Sequence, residues 1–159
     1  MSDRTHTGEA ATKLILSTFR LNGLLLGAGD LLAEDEGLTS ARWQVLGAIA
    51  LAERQLTVPQ IARRMGLARQ SVHATVKRLV AEGLLVFAPN ADHRRSPLVG
   101  LTEAGSKRYE AVDARQASWV NRLARGISHS DLATARRVLD ELCGRLESET
   151  GEEAIKGAR

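Results

Sequence analysis

The chain has 159 residues, 43% of them hydrophobic, which fits one domain with a sizeable core. Aromatic residues at 3% and only 3 prolines favour a helical protein over a β-sandwich. No apolar run reaches the roughly 18 residues of a membrane span, residues 1–6 lack the apolar core of a signal peptide, and the single cysteine, Cys143, excludes an internal disulfide framework. A soluble, cytoplasmic protein is expected.

Taken in order, residues 1 to about 8 are polar and read as a disordered tail. From Glu9 the pattern turns helical, with Leu14, Ile15, Thr18, Leu21, Leu25 and Leu32 near helical spacing. This helix is apolar on more than one face, so it must be covered by more than one neighbour or by another chain. Gly23, Gly27 and Gly29 weaken it by about 1 kcal/mol each, and mark a kink or a close approach of backbone. Asp35-Glu36-Gly37 ends it. Thr39 and Ser40 then offer a cap for a second helix through Glu53, buried through Trp43, Leu46, Ile49 and Ala50. Trp43 reads as a core residue, with ligand stacking as its alternative role.

The next stretch, 57–101, is the most informative. Thr57-x-x-Gln60 is a capping box, Pro59 sits in the first turn, and Ile61, Ala62 and Met65 supply a buried stripe up to the stop at Gly66. A second helix follows in which Val72, Val76 and Leu79 recur at steps of four and three and share a buried face. Gln70, His73 and Lys77 share the opposite face, with Arg69 and Ala74 beside them. Arg and Gln make bidentate contacts to base edges, and Lys pairs with phosphate as a point charge. A solvated polar face on a packing helix is the plainer reading of the same residues. A short apolar strand, 84–88, a polar loop, 89–96, and a return strand from Pro97 to Leu101 then form a hairpin with a basic tip. Gly100 in the return strand marks a bulge or a close approach. Two helices about a glycine turn followed by such a hairpin describe a winged helix-turn-helix, which places a helix in the major groove of DNA.

Charge decides between the two readings of the polar face. From Ile61 to Pro97 seven basic residues (Arg63, Arg64, Arg69, Lys77, Arg78, Arg94 and Arg95) face two acidic ones, Glu82 and Asp92, a net +5. The whole chain is only +3, so the remainder carries −2. Positive charge concentrated on the reading unit is the footprint of a phosphate-binding surface.

Thr102 caps a long helix to about Arg125, with Val112, Gln116, Trp119, Val120 and Leu123 in one broad stripe. Gly126 stops it, and Ser128-x-x-Asp131 starts a last helix with a seam of Leu132, Ala135, Leu139, Leu142 and Leu146 at alternating steps of three and four. That seam serves either an intramolecular hairpin or a second copy of the chain. A reading unit of this kind needs a partner to span half-sites about 34 Å apart. After Glu147 the sequence is acidic and loses its period.

Three pieces, Leu38-Thr39-x-x-x-Trp43-x-Val45-Leu46, Asp92-His93-Arg94-Arg95 and Leu101-Thr102-x-x-Gly105, together with the order of elements from Glu9 to Leu146, resemble the MarR family of bacterial transcription regulators. The resemblance implies a mainly α fold with a small β-wing, in which N- and C-terminal dimerisation helices flank the winged helix-turn-helix. It divides the chain into a tail (1–8), a single domain (9–148, with dimerisation helices 9–36 and 103–148 and the reading unit 39–101) and an acidic tail (149–159). It also implies an obligate homodimer on a pseudo-palindromic duplex. The DNA-contacting residues would be Arg69, Gln70, Ser71, His73, Ala74, Thr75 and Lys77 on the recognition helix, and Asp92, His93, Arg94 and Arg95 on the wing. Asp92 would brace the wing through an ion pair while Arg94 enters the minor groove, whose narrowness concentrates negative potential. A small-molecule effector, phenolic or aromatic, would bind between the lobes, lined by Arg42, Trp43 and residues of the first and fifth helices, and release a repressor from DNA. One departure is Ala68 where family members often open the recognition helix with Ser or Thr, so a cap worth about 1 kcal/mol is missing. Arg69, Ser71 or Thr75 would take over its backbone contact.

Other classes find little support. The family's redox-sensing cysteines lie in the N-terminal helix, whereas Cys143 lies in the last. His6, His73, His93 and His129 are scattered and suggest no metal site, and no cofactor is expected. No catalytic set or phosphate-cradling glycine loop is found, so the chain does not read as an enzyme. A ligand-independent or architectural DNA-binding protein of the same fold is the alternative.

Overall fold

The computed structural model describes residues 4–156; the expectations for residues 1–3 and 157–159 lie outside the described residues. The chain forms two compact units, one ending at Ser118 and the next beginning at Trp119. The buried core belongs wholly to the first of them, which also holds the reading unit.

The first unit opens with α1 (His6–Ala33). It starts three residues before Glu9, so residues 6–8 are helical, because the Thr5 hydroxyl accepts the Gly8 N–H at 3.0 Å and caps the first turn. A 3-10 turn (Glu34–Glu36) leads to Gly37 at φ 65°, a left-handed position that suits glycine. α2 (Ser40–Ala50) is capped by the Thr39 hydroxyl, and the Asp30 carboxylate of α1 accepts the Ser40 N–H at 2.6 Å. A Cβ at Gly29 would stand 2.5 Å from the Ser40 hydroxyl oxygen, so that glycine is where α2 comes close to α1. α2 ends three residues before the expected Glu53, which takes φ 53° in the turn that follows.

The strands β1 (Leu56–Thr57), β2 (Leu85–Ala88) and β3 (Leu98–Leu101) form an antiparallel sheet in the order β1-β3-β2, with Val99 paired to Leu56 on one side and Phe87 on the other. Between β1 and β2 lie α3 (Val58–Met65) and α4 (Arg69–Ala81). The core gathers Leu46, Leu56, Ile61, Val72, Val76, Leu79, Leu84, Leu85, Val99 and Val112, drawn from α2, the sheet and the turn before β2, α3, α4 and α5 (Glu103–Leu123). Burying each such side chain contributes roughly 1.5–3 kcal/mol.

The root of the hairpin is tied to α5 by one residue. The Thr102 hydroxyl accepts the Gly105 N–H at 3.0 Å, capping α5, and donates to the Gly83 carbonyl at 2.7 Å; the Thr102 N–H reaches the Leu84 carbonyl at 3.2 Å. This contact explains the Thr102-x-x-Gly105 spacing, since a Cβ at Gly105 would collide with the Leu84 carbonyl. Arg108 donates to the Glu36 carbonyl at 3.0 Å, and Arg115 pairs with Glu36 at 2.7 Å and Asp35 at 3.4 Å, fixing α5 to the 3-10 turn.

In the second unit α5 gives way at Gly126 (φ 84°), and the Ser128 hydroxyl accepts the Asp131 N–H at 3.1 Å to start α6 (His129–Lys156). Residues 149–156, expected to lose periodicity, continue that helix. The α6 seam leaves Leu132 45% and Leu146 62% exposed. Cys143 is exposed.

Gly105→Ala should destabilise the protein by about 1–3 kcal/mol through overpacking against the Leu84 carbonyl. Urea unfolding checks this; an unchanged midpoint would show that the α5 and hairpin backbones separate without cost.

Candidate nucleic-acid interface

The turn between α3 and α4 is built as its residues dictate. The Thr57 N–H donates to the Gln60 side chain at 2.8 Å, the Thr57 hydroxyl accepts the Gln60 N–H at 3.4 Å, and Gly66 closes α3 at φ 61°. α4 then starts at Ala68 without a side-chain cap, as its sequence required. Val72, Val76 and Leu79 are 1% exposed or less, so the rotation of α4 about its axis is set. That rotation turns Arg69, Gln70, Ser71, His73, Ala74 and Lys77 outward, all exposed. Thr75 is half-buried and its hydroxyl donates to the Ser71 carbonyl at 3.1 Å, which engages it within the helix.

The wing departs from expectation in what braces it. Asp92 makes no ion pair among the described residues, and its carboxylate is exposed. The brace is Asn90: its side-chain N–H donates across the hairpin to the Ser96 carbonyl at 2.8 Å, and its side-chain oxygen accepts the Asp92 N–H at 3.1 Å. Backbone bonds from His93 to Asn90 and from Ser96 to His93 complete the tip. The Asn90 side chain thus forms an Asx turn with the Asp92 N–H. His93, Arg94 and Arg95 stand exposed on this tip.

The two halves of the reading unit converge. Arg69, Gln70 and His73 of α4 and Arg95 and Ser96 of the wing line one groove of about 360 Å³, walled by Val58, Pro59, Phe87 and Pro97. Phe87 is 37% exposed there, a residue that sequence reasoning placed only as part of an apolar strand. Its exposure was not legible because both faces of β2 carry apolar side chains.

A second cavity of about 620 Å³ opens between α2, α3 and α5, lined by Trp43, Gln44, Gly47, Ala48, Leu51, Arg64, Met65, Tyr109, Asp113 and Gln116. The Trp43 indole N–H is buried without a hydrogen-bond partner among the described residues. The Tyr109 hydroxyl donates to Asp113 at 3.4 Å, and burial, with Asp113 beside it, pushes the phenol pKa above its ordinary value. Trp43 lines this cavity, while Arg42 does not. Consecutive helical residues lie about 100° apart, and Arg42 instead pairs with Glu82 and donates to the Gly37 carbonyl at 3.1 Å. Among the described residues there is no metal-binding group of His, Cys, Asp or Glu, and no helix long and apolar enough to cross a membrane.

A family model for MarR matches residues 36–96, the span from the end of the 3-10 turn to the wing tip. The chain belongs to the MarR family. Its fold is that of the MarR-family transcription regulators. Rv2011c of Mycobacterium tuberculosis, an uncharacterised protein, is 40% identical over 141 residues, covering 89% of this chain and 97% of the relative. The MarR architecture recurs in CouR from Rhodococcus jostii RHA1, solved with p-coumaroyl-CoA, at a TM-score of 0.71 and 25% identity over 78% of this chain and 87% of that one. It recurs also in the complex of Staphylococcus aureus MepR with DNA, at a TM-score of 0.71 and 20% identity over 82% of this chain and 96% of that one.

Asn90→Ala should cost about 1 kcal/mol and weaken DNA binding, whereas Asp92→Ala should leave stability within about 0.5 kcal/mol. Thermal unfolding of the two variants separates them; the reverse order would restore Asp92 as the brace.

Proposed function

We propose that this MarR-family chain is a sequence-specific, homodimeric DNA-binding repressor relieved by an aromatic or phenolic effector. The observation that carries the DNA reading is the convergence of Arg69, Gln70, His73 and Arg95 on one groove within the segment of net charge +5. α4 would enter the major groove with Gln70 and His73 toward base edges and Lys77 on phosphate, and Arg94 would reach the adjacent minor groove. The same fold has been crystallised with DNA in MepR, which supports a DNA-binding role.

Dimerisation is supported by the surface of α1. Leu16, Phe19, Leu24 and Leu31 are 61%, 70%, 64% and 75% exposed, and large apolar side chains left open together on one helix mark an interaction surface. In the proposed arrangement, segments 9–36 and 103–148 supply the dimer contacts and 39–101 reads DNA. The effector reading rests on the α2–α3–α5 cavity, where two aromatic rings and an unpaired indole N–H suit a flat ligand with an acceptor atom. CouR holds an aromatic acyl thioester, in keeping with that class. Ligand-independent architectural binding is the alternative, and would show no discrimination among duplexes.

Titrating labelled duplexes tests the assignments. Lys77→Ala should weaken binding to all sequences and lower the salt slope by about 1, while Gln70→Ala and His73→Ala should change sequence preference more than overall affinity. Uniform losses from all three would assign the helix face to phosphate alone. The sign of regulation follows from a promoter reporter: expression should rise when the regulator is deleted, and a fall would make it an activator.

A further inference from the structure

α2 carries two adjacent side chains that face different sites. Trp43 lines the α2–α3–α5 cavity with its indole N–H unpaired, and Arg42 turns toward the end of the recognition helix. The Arg42 guanidinium pairs with Glu82, the residue that closes α4, and donates to the Gly37 carbonyl at 3.1 Å. The Arg42 side chain is 20% exposed and that of Glu82 44%, so the pair is partly withdrawn from water. Burial, with Arg108 and Arg78 nearby, lowers the Arg42 pKa, and its Nε lacks a partner. Among the described residues Glu82 is therefore the single carboxylate paired with a guanidinium set near other guanidinium groups. Removing it leaves that cation poorly compensated.

We propose that Arg42 is a positioning residue that couples the cavity to the recognition helix, with Glu82 as its latch. A ligand that shifts Trp43 shifts α2, and α2 grips the end of α4 through this pair. Glu82 lies at the far end of α4 from Arg69, so a small displacement there changes the tilt of the base-reading face. The inference rests on the DNA-binding reading given above, and it has a consequence that needs no effector. Coupling between two sites is reciprocal, so DNA on α4 must alter the surroundings of Trp43.

The test uses the full-length Trp119→Phe protein, which leaves Trp43 as the sole indole. The probe is a duplex enriched from a random pool by the unaltered protein. Saturating duplex should shift Trp43 emission. Glu82→Gln, checked by circular dichroism for unchanged helix content, should weaken binding about three- to tenfold and abolish the emission change at saturation, with the salt slope unaltered. The exchanged pair Arg42→Glu/Glu82→Arg should restore both. Trp43 emission indifferent to DNA, or a response that survives in Glu82→Gln, would overturn the coupling while leaving the DNA-binding function standing. A drop in the salt slope would instead make this pair part of the phosphate contact. Failure to enrich any duplex would remove the DNA-binding reading itself.

Discussion

The burial of one three-residue stripe governs this molecule. Val72, Val76 and Leu79 leave almost no surface exposed, and a helix has only one rotation about its axis that satisfies all three. Once α4 is set in that rotation, the side chains 69, 70, 73 and 77 can only point outward. The rest of the first unit serves to hold the stripe: α2 and α3 pack against it, and the sheet closes the core beneath. The recognition surface is thus specified from its buried side, by residues that would never touch DNA.

The wing depends on a second device. Thr102 bonds to Gly83, to Leu84 and to Gly105, joining the end of the α4 turn, the root of the hairpin and the start of α5 in one place. Its counterpart at the tip is Asn90. Between these two anchors the exposed arginines sit on a short, cross-linked hairpin instead of a free loop. An ordered hairpin loses less conformational entropy on binding than a disordered one.

Much of this was legible in the sequence where local chemistry and periodicity agree. The capping box at Thr57, the glycine stop at Gly66 and the spacing of the α4 stripe predict the helix-turn-helix, and the MarR resemblance named the fold that the family match and solved relatives then showed. What escaped was long-range or rotational. β1 has two residues, too few for any alternation to register. Asn90 carries the wing because its amide meets Ser96 across a turn, a contact no spacing rule announces. Arg42 was grouped with Trp43 by the MarR resemblance, but neighbours on a helix diverge, and a carboxylate 40 positions later claimed the guanidinium. The cavity takes Tyr109 from the fifth helix, but its other wall is α3, through Arg64 and Met65, and not the first helix, a choice that only the packing of α3 beside α2 reveals.

The central claim is that the outward face of α4 and the wing read a defined DNA site. Selection of bound duplexes from a random pool at physiological salt addresses it most directly. The account expects enrichment of a pseudo-palindrome with half-sites about one helical turn apart. Enrichment of no sequence, with equal affinity for every duplex, would contradict it.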